Sequence, residues 1–367
     1  MALTRGIEMT YDVKTSVCRQ VLVRPRSDGD GATVSTLREI AEICGVDIST
    51  VSRVLNGRQS GMVSAATRDN IRAAAKQLQY RPSAAARALA SGRSRTVVVG
   101  YSRPDDPHFM PMLIALKTIV EAHDYHLQIA FDVGELKTAL RERSADIVLS
   151  VNIVDLADEF IESIAADHQR VIAIGPAYRG LPEQVMCAYW HDGAGIRSAV
   201  EHLVELGHHR IAFLAGISSP AKYEAFNAVS DEPGIEPVIV RSDSEDDLLA
   251  AGAQMARRLL RDEPSVTGVV ARNDEFACGA LHALREASVA VPEDISIVGF
   301  NDIEIASYLS PSLTTIRTPL VECARLLVPA ALESIAAGQD NHWRPEALEF
   351  STSLVVRSST APLDQQG

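Results

Sequence analysis

The sequence predicts an N-terminal all-α helix-turn-helix headpiece and a hinge helix, joined to a two-lobed α/β core with parallel sheets. Three observations carry this reading. Two short apolar-periodic helices near the N-terminus are separated by only three residues. The charge is unevenly divided along the chain. Beyond Thr96, apolar runs of strand length alternate with amphipathic stretches. A chain of 367 residues has room for this division at roughly 100–200 residues per domain.

Residues 1–32 show no period and end in Ser27-Asp28-Gly29-Asp30-Gly31, so they read as a disordered arm. The Asp/Gly cluster lacks the further carboxylates and closing Glu that a calcium loop needs, which leaves a linker. Residues 33–81 form the helix-turn-helix domain. Leu37, Ile40, Ala41 and Cys44 recur at helical spacing from Thr36 onward, and Gly45 supplies a left-handed cap. After Gly45-Val46-Asp47, Asp47 caps a second helix whose inner face is Val51, Val54 and Leu55. A third helix starts at Ser64 and turns Thr67, Ile71, Ala75 and Leu78 inward.

Residues 82–95 are the hinge and linker. Pro82 and Ser83 mark a helix start and Gly92 a stop. A helix this short is marginal in water because nucleation is costly, so it forms only when something holds it. Residues 96–360 make the core, and residues 361–367 a tail. Strands are expected at Val97–Gly100, Ile147–Leu149, Val171–Ile174, Ile211–Leu214, Gly268–Ala271 and Ile295–Val298. Helices fall between them, among them Pro111–Ala122, Ala194–Leu206 and Glu275–Ala287. Such alternation builds a parallel sheet covered on both faces.

Apolar residues at 46% and charged residues at 23% indicate a globular chain. The net charge of −13 argues against nucleic acid until it is divided. Residues 33–95 hold 10 Lys/Arg and 4 Asp/Glu, whereas residues 96–367 hold 20 and 40. A basic module joined to an acidic body points to a polyanion-binding unit on a soluble core. Cys18, Cys44, Cys187, Cys278 and Cys323 show no CxxC and no paired spacing, which fits a reducing compartment and no zinc site. No apolar run approaches the roughly 18–20 residues that cross a bilayer, and the N-terminus has no signal layout. A cytoplasmic chain without a membrane partner is expected.

The stretch Thr50-Val51-Ser52-Arg53-Val54-Leu55-Asn56-Gly57 lies on the second helix. Its outer face presents Ile48, Ser49, Thr50, Ser52, Arg53 and Asn56. Arg bonds guanine in bidentate fashion while hydroxyls and amides reach phosphates or bases, so the face suits a major groove. An ordinary solvated face is the bland alternative; the charge split and Arg68, Arg72, Arg81 and Arg87 weaken it.

With Thr36-Leu37-Arg38-Glu39-Ile40-Ala41, Gly45-Val46, Tyr80-Arg81-Pro82 and Ala86-Arg87-Ala88-Leu89, this stretch resembles the headpiece of the LacI/GalR family of bacterial transcription regulators. The resemblance extends through Glu201-His202-Leu203, Asn273-Asp274, Val291–Phe300, Ser310–Ile316 and Arg357–Thr360, and so covers residues 34–360. It implies a ligand-responsive regulator, usually a repressor, that binds a palindromic operator as a homodimer. Ile48, Ser49 and Arg53 would read bases, and Thr36, Thr50, Ser52 and Asn56 would hold phosphates. Ser83 stands where the family usually has Asn, altering a groove or phosphate contact. From the hinge segment, Ala86 and Leu89 would meet DNA, Leu89 as a wedge in the minor groove. The alternative for Leu89 is a linker residue packed on the core.

The core resembles a two-lobed periplasmic sugar-binding protein, in which a small molecule in the cleft shifts the lobes. By position, the cleft candidates are His108, Phe109, His191, Asp192, Lys222, Asn273 and Asn301. Phe109 either stacks on a ligand or packs within its lobe. Asn273 follows a strand end, where open sheets place ligands, and could instead cap a helix. Asp302 reads as a helix cap. Two departures bear on the effector. Lys222 stands where sugar-binding relatives carry Arg, and cannot reproduce a bidentate fork. Asn301 replaces an Asp and removes a charge. A carbohydrate is the default effector.

His208-His209 on a turn points two imidazoles apart with no third ligand near in sequence, which makes it a structural turn. No GxGxxG, GxxxxGK[ST], GxSxG or HExxH occurs, so no cofactor and no catalysis are expected. The rivals are a transport-type solute-binding protein and an α/β hydrolase fused to a DNA-binding headpiece. The first conflicts with the missing signal layout and the basic headpiece; the second lacks a catalytic constellation. The tail after Thr360 contains no leucine heptads of the kind that make the family's tetramers, so a dimer is expected.

Overall fold

The structure is a computed structural model, and it describes residues 36–55, 63–80, 88, 92–101, 103, 105–142, 144–153, 169–176, 181, 183, 185–217, 220–230, 234–338 and 345–363. The chain divides into two compact units, Met1–Ser83 and Ala84–Gly367.

In the first unit, α1 (Leu37–Cys44), α2 (Ile48–Leu55) and α3 (Ala65–Gln77) pack around Ile40, Ala41, Val51, Val54, Ile71, Ala74 and Ala75. Thr36 begins α1 with a capping box: its hydroxyl accepts from Glu39 N, and its own N–H donates to the Glu39 carboxylate at 2.9 Å. Gly45 ends α1 at φ +62, a left-handed position that costs a glycine little. The Asp47 carbonyl accepts from Thr50 and Val51 and so opens α2. Ser64 caps α3, its hydroxyl accepting from Thr67 N at 3.1 Å.

The second unit holds two six-stranded sheets. The first contains β1 (Thr96–Tyr101), β2 (His126–Ala130), β3 (Ile147–Val151), β4 (Arg170–Pro176), β5 (Val185–Trp190) and the short β11 (Leu348–Glu349), in the order β11-β5-β4-β3-β1-β2. All its pairings are parallel. Successive strand residues enter opposite cores. Val97 and Val99 pack with α4 (Met110–Ala122) and α10 (Leu320–Ala336), whereas Val98 packs with α5 (Val133–Arg141).

The second sheet is β12-β10-β9-β8-β6-β7, from β6 (Arg210–Ala215), β7 (Glu236–Arg241), β8 (Gly268–Ala271), β9 (Ser296–Asn301), β10 (Thr314–Arg317) and β12 (Ser353–Val355). Among the described residues, only β10 and β12 pair antiparallel in this sheet. One face is covered by α6 (Asp192–Glu205) and α7 (Pro220–Ser230), the other by α8 (Leu248–Asp262) and α9 (Asp274–Glu286). The last two helices touch backbone to backbone. A Cβ on Gly279 would overlap the Leu249 carbonyl, and one on Gly252 would overlap that of Phe276.

The two sheets define two lobes, and the chain crosses between them after β5, after β10 and between β11 and β12. The expected strands and helices of the core are present at or within a few residues of their predicted bounds. His208 is buried, its ring 3.1 Å from Thr267 Oγ1 and 3.0 Å from the Ala361 carbonyl, so it pins the C-terminal segment. Among the described residues, no helix is long and apolar enough to cross a membrane.

Candidate nucleic-acid interface and effector cleft

Burial of Val51 and Val54 fixes which side of α2 faces outward. Ile48, Ser49 and Arg53 are exposed, and Thr50 and Ser52 are partly so. Ile48 retains 42% of its surface, a large apolar group left on the outer side of α2. The Arg53 guanidinium lies back along the helix, its Nε donating to the Ser49 carbonyl at 3.1 Å and a terminal nitrogen to Ser49 Oγ at 3.3 Å. Two predicted base readers therefore meet, and the fork is oriented on the outer surface. Arg68 and Arg72 are exposed on α3.

In the core, the C-terminal ends of strands from both sheets converge. Arg103, just beyond β1, lies 3.7 Å from the carboxylate of Glu275 in the first turn of α9, which follows β8. This ion pair spans the two lobes. His108 lies on the same loop as Arg103, and its Nε2 is 2.6 Å from Thr318 Oγ1 at the second crossover. Burial lowers the His108 pKa to about 4, with Lys222 pushing the same way and Asp106 and Asp192 opposing. Asp106 organises the loop, accepting from His108 N at 2.8 Å and from the Tyr101 hydroxyl at 3.2 Å.

Lys222 is buried, and its ammonium sits 3.5 Å from the centre of the Phe300 ring. It donates to the Arg272 carbonyl at 3.1 Å and lies 3.7 Å from Asp192 Oδ2. Desolvation pulls its pKa down against the attraction of Asp192. Asp192 also accepts from Trp190 Nε1 at 2.8 Å, which ties the first crossover to the Lys222 ammonium. His191 is partly exposed there, 3.4 Å from Glu349.

At the end of β8, Arg272 is buried beside Glu245 at 3.2 Å. The backbone N–H of Ile217 donates to the same Glu245 oxygen at 2.7 Å. Gly216 makes room for this pair, since a Cβ there would overlap both side chains. Asn301 at the end of β9 has φ +112 and Asp302 has φ +55. Asp302 accepts from Arg317 Nε at 2.7 Å and from Arg357 at 2.5 Å.

A sequence family described as bacterial regulatory proteins of the lacI family matches residues 36–83, and a periplasmic binding protein-like domain matches residues 200–360. The transcriptional regulator GalS of Salmonella typhimurium is 31% identical over 318 residues, covering 83% of this chain and 91% of that protein. GalR of Escherichia coli is 29% identical, covering 89% and 96%. The chain belongs to the lacI family.

The solved lac repressor dimer, bound to operator and an anti-inducer, superposes with a TM-score of 0.73 at 26% identity, covering 90% of this chain and 100% of that one. A CelR–cellobiose complex superposes at 0.60 and 26%, covering 89% and 99%. As a lacI-family member, the protein is a ligand-responsive, DNA-binding transcription regulator.

Within the lacI frame, His108, Asp192 and Lys222 lie near one another and Asn273 lies beside Glu275. Phe109 is fully buried and stacked on Tyr101 at 4.4 Å, so packing within its lobe is its role here. Asn273 caps α9, its Oδ1 accepting from Phe276 N at 2.9 Å, while Nδ2 is left to face Glu275 at 3.5 Å. Asp302 is not the helix cap expected for it. Ile303 occupies that position without a side-chain bond, and the Asp302 carboxylate is taken by two arginines. Asn56, Ser83, Ala86 and Leu89 lie outside the described residues, as do the arm over residues 1–32 and the tail end. Sequence reasoning missed Arg103, Glu245, Arg272 and Glu275. Glu245 lies in a loop without periodicity, but Arg272, ending an apolar strand next to Asn273, was a visible signal. Among the described residues, no cluster of three His, Cys, Asp or Glu could hold a metal.

Proposed function

We propose that the protein is a cytoplasmic repressor without catalytic activity that binds a palindromic operator as a homodimer. Ile48, Ser49 and Arg53 read bases in the major groove, and Thr36, Thr50, Ser52 and Asn56 fix the register on phosphates. Ser83, Ala86 and Leu89 meet the DNA between the half-sites. A small molecule, a carbohydrate by default, enters the cleft beside His108, His191, Asp192, Lys222, Asn273 and Asn301. It shifts the lobes by binding one arrangement more tightly than the other.

The Arg103–Glu275 pair across the lobes carries this reading, because anything entering between them must alter a contact that belongs to one lobe arrangement. The known lac repressor complex, an operator-bound dimer holding a small molecule, supports the same architecture. Selection of bound sequences from random duplex DNA tests it, performed at two salt concentrations with and without a metabolite mixture. A two-fold palindrome with half-sites about 10 base pairs apart that survives higher salt is expected. Sequence-blind, salt-sensitive binding with and without metabolites overturns the proposal.

A further inference from the structure

Glu275 is a carboxylate held between groups that a ligand would use. Its Oε1 is 3.7 Å from Arg103 of the first lobe, and its Oε2 is 3.5 Å from Asn273 Nδ2 of the second. The positive charges of Arg103 and Arg272 both act on it, from opposite sides of the cleft. Its contacts are long beside the roughly 2.7–2.9 Å of a well-made charge-assisted bond. Burial and the nearby Asp106 further disfavour its charged form. Neither contact of this carboxylate reaches the length of a close charge-assisted bond.

Lys222 is not the group that receives an anion from outside, since Phe300, Asp192 and the Arg272 carbonyl already surround its ammonium. Arg272 is buried at a strand end, 3.2 Å from Glu245 and 4.8 Å from the centre of the Phe276 ring, and its charge acts on both Glu275 and Arg103. A ligand carboxylate at the place of Glu275 keeps a negative charge facing Arg103, where a neutral ligand would put none beside Asp105 at 3.4 Å and the neighbouring Asp106.

We infer that the effector is a small polyhydroxylated carboxylic acid, a sugar acid, whose carboxylate takes the place of Glu275 between Arg103 and Asn273, within the field of the Arg272 charge. This rests on the reading of the core as the effector-binding part of a repressor. Hydroxyls along the same molecule meet His108, on the same loop as Arg103. Glu275 then acts as an internal competitor that holds the lobes in the ligand-free arrangement.

The test is calorimetric titration of the full-length protein with D-gluconate, D-glucuronate and D-galacturonate. Glucose, galactose and glucose 6-phosphate serve as neutral and phosphorylated counterparts. At least one acid is expected to bind tenfold or more tighter than its neutral counterpart and than the phosphate, and to release operator DNA. Arg272→Gln should abolish that preference, and Glu275→Gln should tighten acid binding several-fold. Arg272→Lys retains the charge without the fork and should give an intermediate loss, and thermal melting checks that each variant folds. Equal or tighter binding of a neutral sugar or the phosphate overturns the inference, as does failure of all three acids to bind. In either case selection of a palindrome from random DNA still stands or falls separately, which distinguishes this failure from failure of the repressor reading.

Discussion

His108 Nε2 lies 2.6 Å from Thr318 Oγ1, joining the loop after β1 to the second crossover between the lobes. Both residues are buried, so this hydrogen bond ties the loop to a segment that crosses between the lobes. A proton on the imidazole would be desolvated there and would face the Lys222 ammonium, with Asp106 and Asp192 offering partial compensation.

The pH dependence of stability follows from two groups with opposite signs. An unfolded histidine titrates near 6.5, whereas folded His108 titrates at about 4. Between those values the unfolded chain binds the extra proton, so acidification removes stability, on the order of 3 kcal/mol by pH 4. Asp274 does the reverse. Burial raises its carboxyl to about 6 despite bonds from Thr315 at 2.5 Å and Ile303 N at 2.8 Å. Its folded form holds a proton over pH 4–6 that the unfolded form has lost, so acidification there adds stability. Melting temperatures across pH 4–7 should therefore fall more steeply with acid in Asp274→Asn than in the parent, and less steeply in His108→Gln. Parallel curves for all three proteins would remove both assignments.

Arg53→Lys separates base reading from charge. Lysine keeps the positive charge but not the fork that grips a guanine edge. The variant should lose about 1–3 kcal/mol per half-site on the selected operator while keeping its salt dependence and its non-specific affinity. Fluorescence anisotropy on specific and scrambled duplexes reads both quantities. An unchanged ratio between them would return Arg53 to the solvated face from which sequence alone could not fully separate it.

Asp302→Ala should destabilise the core. The Asp302 carboxylate is 8% exposed and bonded to Arg317 and Arg357, and Arg357 also donates to the Leu313 carbonyl at 2.7 Å. Removing one partner of a buried ionic cluster costs about 3–5 kcal/mol, reduced here because Arg317 is half exposed. Thermal unfolding should show the loss, and Asp302→Asn should recover part of it. A melting point within 1–2 °C of the parent, below the roughly 2–4 °C per kcal/mol expected at this size, would refute the anchoring role.

The headpiece was legible because each local signal had one physical use. Leu37, Ile40, Ala41 and Cys44 make one stripe, and Gly45 has one conformation to adopt. The buried strands were legible as apolar runs, but β2 and β7 were not. They are sheet edges whose exposed residues, such as His126, Gln128, Glu236 and Pro237, interrupt any run. The helix α10 was hidden by Pro329 within it, and its packing on the first lobe depends on a crossover that no local pattern encodes. In the core, the strand end at Asn273 was legible, but the partnerships of its neighbours were not. The meeting of Arg103 with Glu275, 172 positions apart, exists only once the two lobes face each other.

On the proposed reading, Thr36 serves two ends with one hydroxyl. Its Oγ accepts from Glu39 N at 3.4 Å to cap α1, and the proposal gives its hydroxyl proton to a DNA phosphate. Aspartate is also a good N-cap, but it cannot donate and its charge repels phosphate. Thr36→Asp should therefore melt close to the parent while binding operator at least tenfold more weakly. Thr36→Ala should lose about 1 kcal/mol of headpiece stability as well as affinity. Because a neutral hydroxyl releases no counterions, the alanine variant should keep the parent's salt dependence. If Thr36→Asp bound operator as tightly as the parent, the phosphate contact would be wrong and the residue would be a cap alone.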